Sequence, residues 1–545
     1  MEGTGVLINF SPSFWHLIPI FLYAETHYKF RYFFSFLRKH EPEIIADAPH
    51  RLEPDSPLPI LILIKDAHLF PITLVQISII VRSKGRIILK KQLLESDIEI
   101  KQKIWWQIFE VNLNGLTGNI ECNVSFEIND GKRKRIYHND NYRTSSHNPL
   151  KIFVSPTPLP GFKGLYFGEC HSHSSYTDDQ VEFGSPLEAS AKLAQSLGLS
   201  FFCSTDHSYD LDDSLDNYLV NDPDVPKWQY LQQETDELNT KLKNFVIVRG
   251  EEVTCRNSLD QNVHLLLLGN KNFFYGSGDG AERWLKTKSE NSIDEVLKSM
   301  EPQSVAFSAH PKEPISLLQH LLLRRGSWNT SDFVHSNLSG FQFINGQLTN
   351  GFGKGYKCWI EMLLQGKRLF ALAGNDAHGN FNRFRQVGIP FFKIKESEHQ
   401  LFGRMRTGVF LETLSEKGIL DSIRSGRTIV TDGPVANLIV DSSEQKSSSL
   451  GQIFIGKQHS ILLEARSSTE FGSIESLKVF RGYIGQKEDI LISETPGLCY
   501  DIKRNFTYEI EKDSYLRAEV WTSSADSYDG QSHFCLTNPI WFKPN

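Results

Sequence analysis

Leu165-Tyr-Phe-Gly-Glu-Cys-His171-Ser-His173 is the stretch on which the reading of this chain turns. An apolar run of strand character passes directly into two histidines one residue apart. In an extended segment, residues i and i+2 point the same way, so His171 and His173 can grip one ion. Alone, such a pair is common on ordinary strands. Working outward, the pattern repeats. Phe201-Phe-Cys-Ser-Thr precedes Asp206-His207, and Phe245-Val-Ile-Val-Arg-Gly precedes Glu251-Glu252. Val305-Ala-Phe-Ser-Ala precedes His310-Pro311, and Leu369-Phe-Ala-Leu-Ala-Gly-Asn precedes Asp376-Ala-His378. The joint occurrence carries the argument, because each cluster follows an apolar strand. Imidazole and carboxylate ligands suit zinc, manganese or iron, and there are more of them than one ion needs, so two or three divalent ions are expected.

Between these strands the sequence has helical grammar. Ser185-Pro-Leu-Glu188 reads as a capping box ahead of a helix that Gly198 ends, and Ser292-Ile-Asp-Glu295 reads as another. A helix from Tyr356 to Gln365 closes at Gly366, before the strand Arg368–Ala373. Repeated helix–strand units predict a parallel α/β barrel or a doubly wound sheet, with the ligands collected on the face where the strands end.

The flanks differ. Residues 57–160 carry β-branched and alternating runs such as Ile72–Val81, separated by Ser83-Lys-Gly85 and Asn129-Asp-Gly131, and predict a small β-sandwich. Ser155-Pro-Thr-Pro-Leu-Pro-Gly161 reads as a linker to the middle region, 161–433. Alternation returns from Pro434, and residues 434–545 predict a second β-sandwich-like domain. Residues 1–56 form an aromatic-rich arm. Its uncharged stretch Gly3–Ala24 lacks a positive flank and is broken by Pro12 and Pro19, which makes a poor membrane span or signal. The basic, aromatic stretch Tyr28–Lys39 reads as an arm packed on another domain, with a membrane-surface contact as the alternative.

Composition sets the outer limits. A chain of 545 residues exceeds one hydrophobic core. The charge of −7 gives no footing for nucleic-acid binding. Seven cysteines, scattered and without a Cys-x-x-Cys pair, fit a reducing compartment such as the cytoplasm better than a disulfide scaffold.

The clusters, in this order, resemble the PHP (polymerase and histidinol phosphatase) family of metallohydrolases. The motifs are His171-Ser-His-Ser-Ser-Tyr-Thr-Asp178, Ser204-Thr-Asp-His207, Gly250-Glu-Glu-Val-Thr254, Asn262-Val-His264, Ala309-His-Pro311 and Gly374-Asn-Asp-Ala-His378. Thr205–Asp213, Gly374–Arg383 and Ser425–Pro434 are similar to its CehA/McbA branch. The resemblance covers about residues 160–545. It implies a multidomain α/β plus all-β chain with a distorted (β/α)7 barrel between the two β-sandwich-like domains. It also implies His171, His173, Asp178, His207, Glu252, His310, Asp376 and His378 as ligands. His264 becomes a ligand to a third ion or a donor to substrate, and Asp206 orients a ligand. Glu251 and Glu252 are adjacent on a strand, so only one faces the site; the match to Gly-x-Glu selects Glu252.

The expected reaction is attack of a metal-activated hydroxide on a small phosphorylated substrate, with Arg256, Arg383 and Arg385 as candidate phosphate forks. Two alternatives stand beside it. One is a carbamate, ester or amide hydrolase with the same site. The other is a binding or envelope-associated protein in which the barrel is secondary.

Overall fold

The structure is a computed structural model that describes residues 40–142, 147–178, 183–278, 287–383, 386–389, 392–395, 400–441 and 448–545. The N-terminal arm before residue 40 and Arg385 lie outside the described residues. The chain is predominantly β.

The first region is a pair of sheets. Glu43–Asp47, Leu58–Lys65 and Ile104–Val111 form one, and the long antiparallel pair Ile72–Ser83 and Gly118–Asn129 anchors the other. Leu74 and Ile77 both point into its core although they are an odd three positions apart; a bulge between Leu74 and Gln76 restores the alternation. The strand Leu58–Lys65 is buried along its whole length because both of its faces are covered. Ile60, Ile62 and Ile64 pack into the core of the first region. Leu61 packs with the middle region, where the helix Leu187–Ser196 lies against this strand. Burial of each such side chain contributes roughly 1.5–3 kcal/mol.

The expected (β/α)7 barrel is not formed. Among the described residues the main strands of the middle region belong to two sheets, with two small antiparallel pairs beside them (Asp213–Ser214 with Asn217–Asn221, and Gln386–Ile389 with Phe392–Lys395), and no single ladder closes on itself. Val246–Val248, Phe201–Ser204 and Leu165–Ser172 pair in parallel, and the last is then joined antiparallel by Arg406–Phe410. The second sheet runs Gly250–Arg256, Asn262–Leu268, Val305–Ala309, Leu338–Asn345 and Phe370–Gly374, and its first two pairings are antiparallel. The first of these follows from the connection Asn257-Ser-Leu-Asp-Gln261. It is too short for a parallel crossover, which needs a dozen or more residues, so it makes a hairpin. The two sheets touch through isolated bridges, His207 to Glu252 and Ser172 to Ala377, both at the candidate site.

The first sheet also continues past the middle region. Thr428–Thr431 pairs with Phe534–Thr537, which pairs with Ser514–Thr522, so one sheet runs from the middle region into the C-terminal residues. Across its face lies a three-stranded sheet, Val435–Val440, Gln458–Arg466 and Asp501–Glu509, and the two share a core that includes Leu438, Leu463 and Val520.

Local signals had uneven success. Ser292 and Glu295 form the full capping box at the helix Ile293–Ser299. Ser185 makes none. The helix begins at Leu187 behind Pro186, with no side-chain cap. All seven cysteines are free. No helix of the described residues is long and apolar enough to cross a membrane.

Candidate metal centre

The site lies where the two sheets meet. Leu165–Ser172 carries His171 at its end, with His173 just beyond, and the parallel strand Phe201–Ser204 leads into Asp206 and His207. The hairpin supplies two groups. His264 stands opposite Thr254, two residues on from Glu252, so Glu252 and His264 are diagonal neighbours on one sheet face. His310 follows Val305–Ala309, and Asp376 and His378 follow Phe370–Gly374. His310 and Asp376 both hold left-handed backbone, with φ of 29° and 53°. Such strain in non-glycine residues persists where surrounding structure enforces it, and it clusters at functional sites. Gly374 permits the close approach of its strand: a Cβ there would lie 2.5 Å from that of His171.

Glu252 is the hub. Its Oε2 lies 3.0 Å from His207 Nδ1, 3.4 Å from His171 Nε2 and 3.5 Å from His173 Nε2. Its Oε1 lies 2.6 Å from His264 Nδ1 and 3.2 Å from His310 Nε2. Asp376 Oδ1 is 3.1 Å from His173 Nε2 and 3.4 Å from His171 Nε2. The His378 ring stacks on that of His173 at 4.2 Å. His171, Glu252 and His173 are almost completely shielded from solvent. Glu251 turns away from this cluster to Ser208, Asn270 and the Phe274 amide.

Burial alone would raise the pKa of Glu252, but His264, His171 and His207 hold it well below the usual carboxylate range. Asp376 behaves alike: burial opposes ionisation and His171 overcomes it. Burial, with His378 and His207 adding to it, pushes His173 well down, and burial lowers His310 as well. Neutral imidazoles and ionised carboxylates are the protonation states that metal ligands need. His171 goes the other way, to about 9, because Glu252 and Asp376 outweigh its burial.

The donor set fits divalent cations. Three groups have ligand atoms within 4.8 Å of one another: His173 with His207 and His378; His171 and His173 with Glu252 and Asp376; and His207 with Glu252 and His264. Glu252 belongs to two of them, and a carboxylate can bridge two ions. His171 Nε2 and Glu252 Oε2 are buried and make no hydrogen bond, which is costly for polar atoms that hold no other partner.

Other sequence candidates fall elsewhere. Asp178 does not join the cluster. It is captured by Lys65 and by Lys103 at 2.9 Å, both from the first region. Burial opposes its ionisation, but the two lysines pull its pKa far below the usual range. Among the described residues no hydrogen bond or ion pair joins the Asp206 side chain to a ligand histidine. Asp206 accepts from Ser174 N at 2.7 Å, Thr177 N at 3.0 Å and Ser204 Oγ at 2.6 Å, and so shapes the turn after His173. Arg256 pairs with Asp260 and Glu295 away from the cluster. Arg383 lies at a different cavity, against Asn148 and Asp140.

Several contributors were missed by sequence reasoning. Gln342 Oε1 accepts from the His310 amide at 2.9 Å and lies 3.4 Å from His171 Nδ1, which directs Nε2 of His171 at the acids. Glu169, fully buried, accepts from the amides of His171, Asn375 and Gly403. Its place before Cys170-His171 was the available signal. Arg325 donates to His264 Nε2, leaving Nδ1 of that ring to donate to Glu252. No sequence pattern marks Arg325. The Gly326 amide donates to Asn262 O at 2.8 Å and the Trp328 indole to His264 O at 3.1 Å, which pins that loop onto the hairpin.

No family model and no curated protein matches the chain. Among solved structures it has weak similarity to the β-glucuronidase of Parabacteroides merdae, with 7% identity, 93% of this chain, 65% of that chain and a TM-score of 0.19. A putative β-galactosidase from Bacteroides fragilis gives 10%, 92%, 73% and 0.20. Trypsin-activated α-2-macroglobulin from Escherichia coli gives 6%, 92%, 24% and 0.15. The chain thus spans 65% of the length of the first and 24% of the last. At such scores these likenesses carry no argument about its fold or chemistry.

Proposed function

We propose that this chain is a metal-dependent hydrolase acting on small phosphate esters. The observation that carries the reading is the convergence of His171, His173, His207, His378, Glu252 and Asp376 into overlapping ligand groups. These residues would hold two or three divalent ions (zinc, manganese or iron), with Glu252 shared between them. Such ions supply an acidified water and neutralise charge developing at a phosphoryl centre.

The chain's own residues account for orientation. A cavity of about 170 Å³ opens beside the cluster, bordered by His264, His310, Arg325, Asn345 and Asp376. Its size suits a small head group. Arg325 at its wall supplies a guanidinium matched to an anionic oxygen pair, which favours a phosphate over a neutral carbamate, ester or amide. Gln342 and Glu169 fix the His171 backbone and ring, so the cluster is set before substrate arrives. The motif order shared with PHP hydrolases of the CehA/McbA branch supports the same chemistry, although the closed barrel expected from that resemblance is not found.

The test is metal analysis of the purified chain, followed by turnover of phosphomonoester, phosphodiester and aryl carbamate substrates. Stoichiometric transition metal and phosphatase turnover, both lost in His171→Ala, are expected. A metal-free protein after growth in supplemented medium would overturn the reading. Carbamate turnover without phosphatase turnover would replace its substrate class.

A further inference from the structure

A second cavity, of about 370 Å³, lies where the three regions of the chain come together. His50 and Lys151 reach it from the first region, Arg383, Arg404 and Arg406 from the middle, and His533 from the C-terminal strands. Its acids are already engaged. Glu470 receives Arg51 at 2.6 and 2.9 Å and Ser155 Oγ at 2.7 Å. Asp432 accepts from the Phe534 amide at 2.7 Å and lies 3.1 Å from His533 Nδ1, while Asp529 lies 3.2 Å from His533 Nε2.

Arg406 is the residue without a counterion. Its side chain is buried, with the residue 3% exposed. Nε donates to Gly403 O at 2.9 Å and Nη1 to Asp432 O at 3.2 Å, and both acceptors are neutral carbonyls. No ion pair within 4.0 Å reaches its guanidinium among the described residues. The Phe471 ring lies 5.6 Å from it and Glu470 and Asp432 act on it from beyond ion-pair distance, while the neighbouring arginines add positive field. Burial and then Arg51 depress its pKa to about 10, and burial together with Arg406, Arg404 and Arg51 drives His50 down to about 3. Arg383, on the same wall, donates to Asn148 O and reaches Asp140 at 3.7 Å, but its Nε is buried with no hydrogen-bond partner. A buried charge without an ion pair is expensive, and a protein that retains one at a cavity wall gains most when an anion fills the cavity.

We infer that this junction is a binding site for a small phosphorylated molecule, with Arg406 and Arg383 as the groups that hold its phosphoryl oxygens. Arginine suits that role because its planar fork matches paired phosphoryl oxygens. A volume of about 370 Å³ has room for a phosphate and a short organic body, at the lower end of ordinary ligand pockets. The site is separate from the metal-type cluster and does not depend on the hydrolase reading. It is nonetheless linked to it in the chain. Phe381 and Arg383 donate their amides to Asp47 of the first region, only a few residues beyond His378. A ligand drawn to Arg383 therefore acts on the segment that presents His378.

The test is calorimetric titration of the full chain with inorganic phosphate and with phosphonoacetate, whose C–P bond resists hydrolysis. Both are run on the unmodified protein and on His171→Ala, Arg406→Gln and Arg383→Gln. Saturable binding is expected in the unmodified protein and in His171→Ala, weakened about tenfold or more by each arginine substitution. Tighter binding of phosphonoacetate than of phosphate identifies an organic ligand; the reverse order identifies the free ion. Loss of binding in His171→Ala would place the anion at the metal-type cluster and overturn the proposal. So would unchanged binding in Arg383→Gln, the partly exposed position that serves if Arg406→Gln does not fold.

Discussion

Two of the buried charged regions among the described residues are built in opposite ways. The cluster around Glu252 gathers carboxylates and imidazoles whose donor atoms point at one another. The junction cavity around Arg406 gathers several guanidiniums, and the acids on its walls already hold other partners. The first arrangement suits cations and the second suits anions. In both, burial supplies the strength, because a charge removed from water must find a partner. What differs is the route by which the residues arrive. The ligands of the cluster sit on or just beyond strands that the sequence displays openly. The arginines come from segments that only the packing of three regions brings together.

That contrast can be tested at its centre. Glu252→Gln removes the shared carboxylate, and turnover of any phosphate ester should fall about a thousandfold or more, with bound metal lost. Retained metal and activity would break the contrast at once. Asp178 sharpens it from another side. If Asp178 anchors the first region, Asp178→Ala breaks a buried ion pair with Lys65 and should cost about 3 kcal/mol in chemical denaturation. Metal content should stay near that of the unmodified protein. Loss of metal at unchanged stability would instead return Asp178 to the ligand set.

Arg325→Ala comes next in size. It should lower kcat/KM for phosphate esters by about ten- to a hundredfold, the loss of one charge-assisted hydrogen bond, with metal content intact. An equal loss for a neutral aryl ester would show that Arg325 acts through His264 and not on the substrate anion.

The smallest effect concerns the cavity's own acids. Burial works against the charge on His533, but Asp432 and Asp529 outweigh it and raise the pKa from 6.5 to about 9. Protonation is thus favoured in the folded state. The stability this group contributes is complete below about pH 6.5 and is lost as pH climbs through about 9. Thermal melts across that window should decline more steeply for the unmodified protein than for His533→Gln. Parallel declines would remove His533 from the cavity's charge balance.

The legibility of the site followed from local periodicity. His171 and His173, or Asp376 and His378, are close in sequence, and the apolar run before each pair announces a buried strand. Glu252 could be told from Glu251 only by motif, and the register of the hairpin is what turns it inward. The fold was read less well. The five strands that run into the clusters were identified, but Asn262–Leu268 and Leu338–Asn345 were not, and the strand directions were inferred from the helices between them. The five-residue connection Asn257–Gln261 contradicts a parallel crossover and was the overlooked signal. The boundary expected at residue 434 is crossed by a continuous sheet, because Thr428–Thr431 finds its partner in Phe534–Thr537, more than a hundred residues away.

The sequence by itself determined which residue types follow which strands, and therefore that His171, His173, His207, Glu252, His310, Asp376 and His378 could meet. It did so because strand periodicity and turn chemistry act over a few residues. Only the tertiary structure decided the rest. Strand pairing across long separations placed those residues on two sheets that touch at the site. It gave Asp178 to Lys65 and Lys103, and Arg383 to a cavity at the meeting of three regions. Such pairings are selected by the packing of whole faces and by the charges that burial brings together, and no local pattern encodes them.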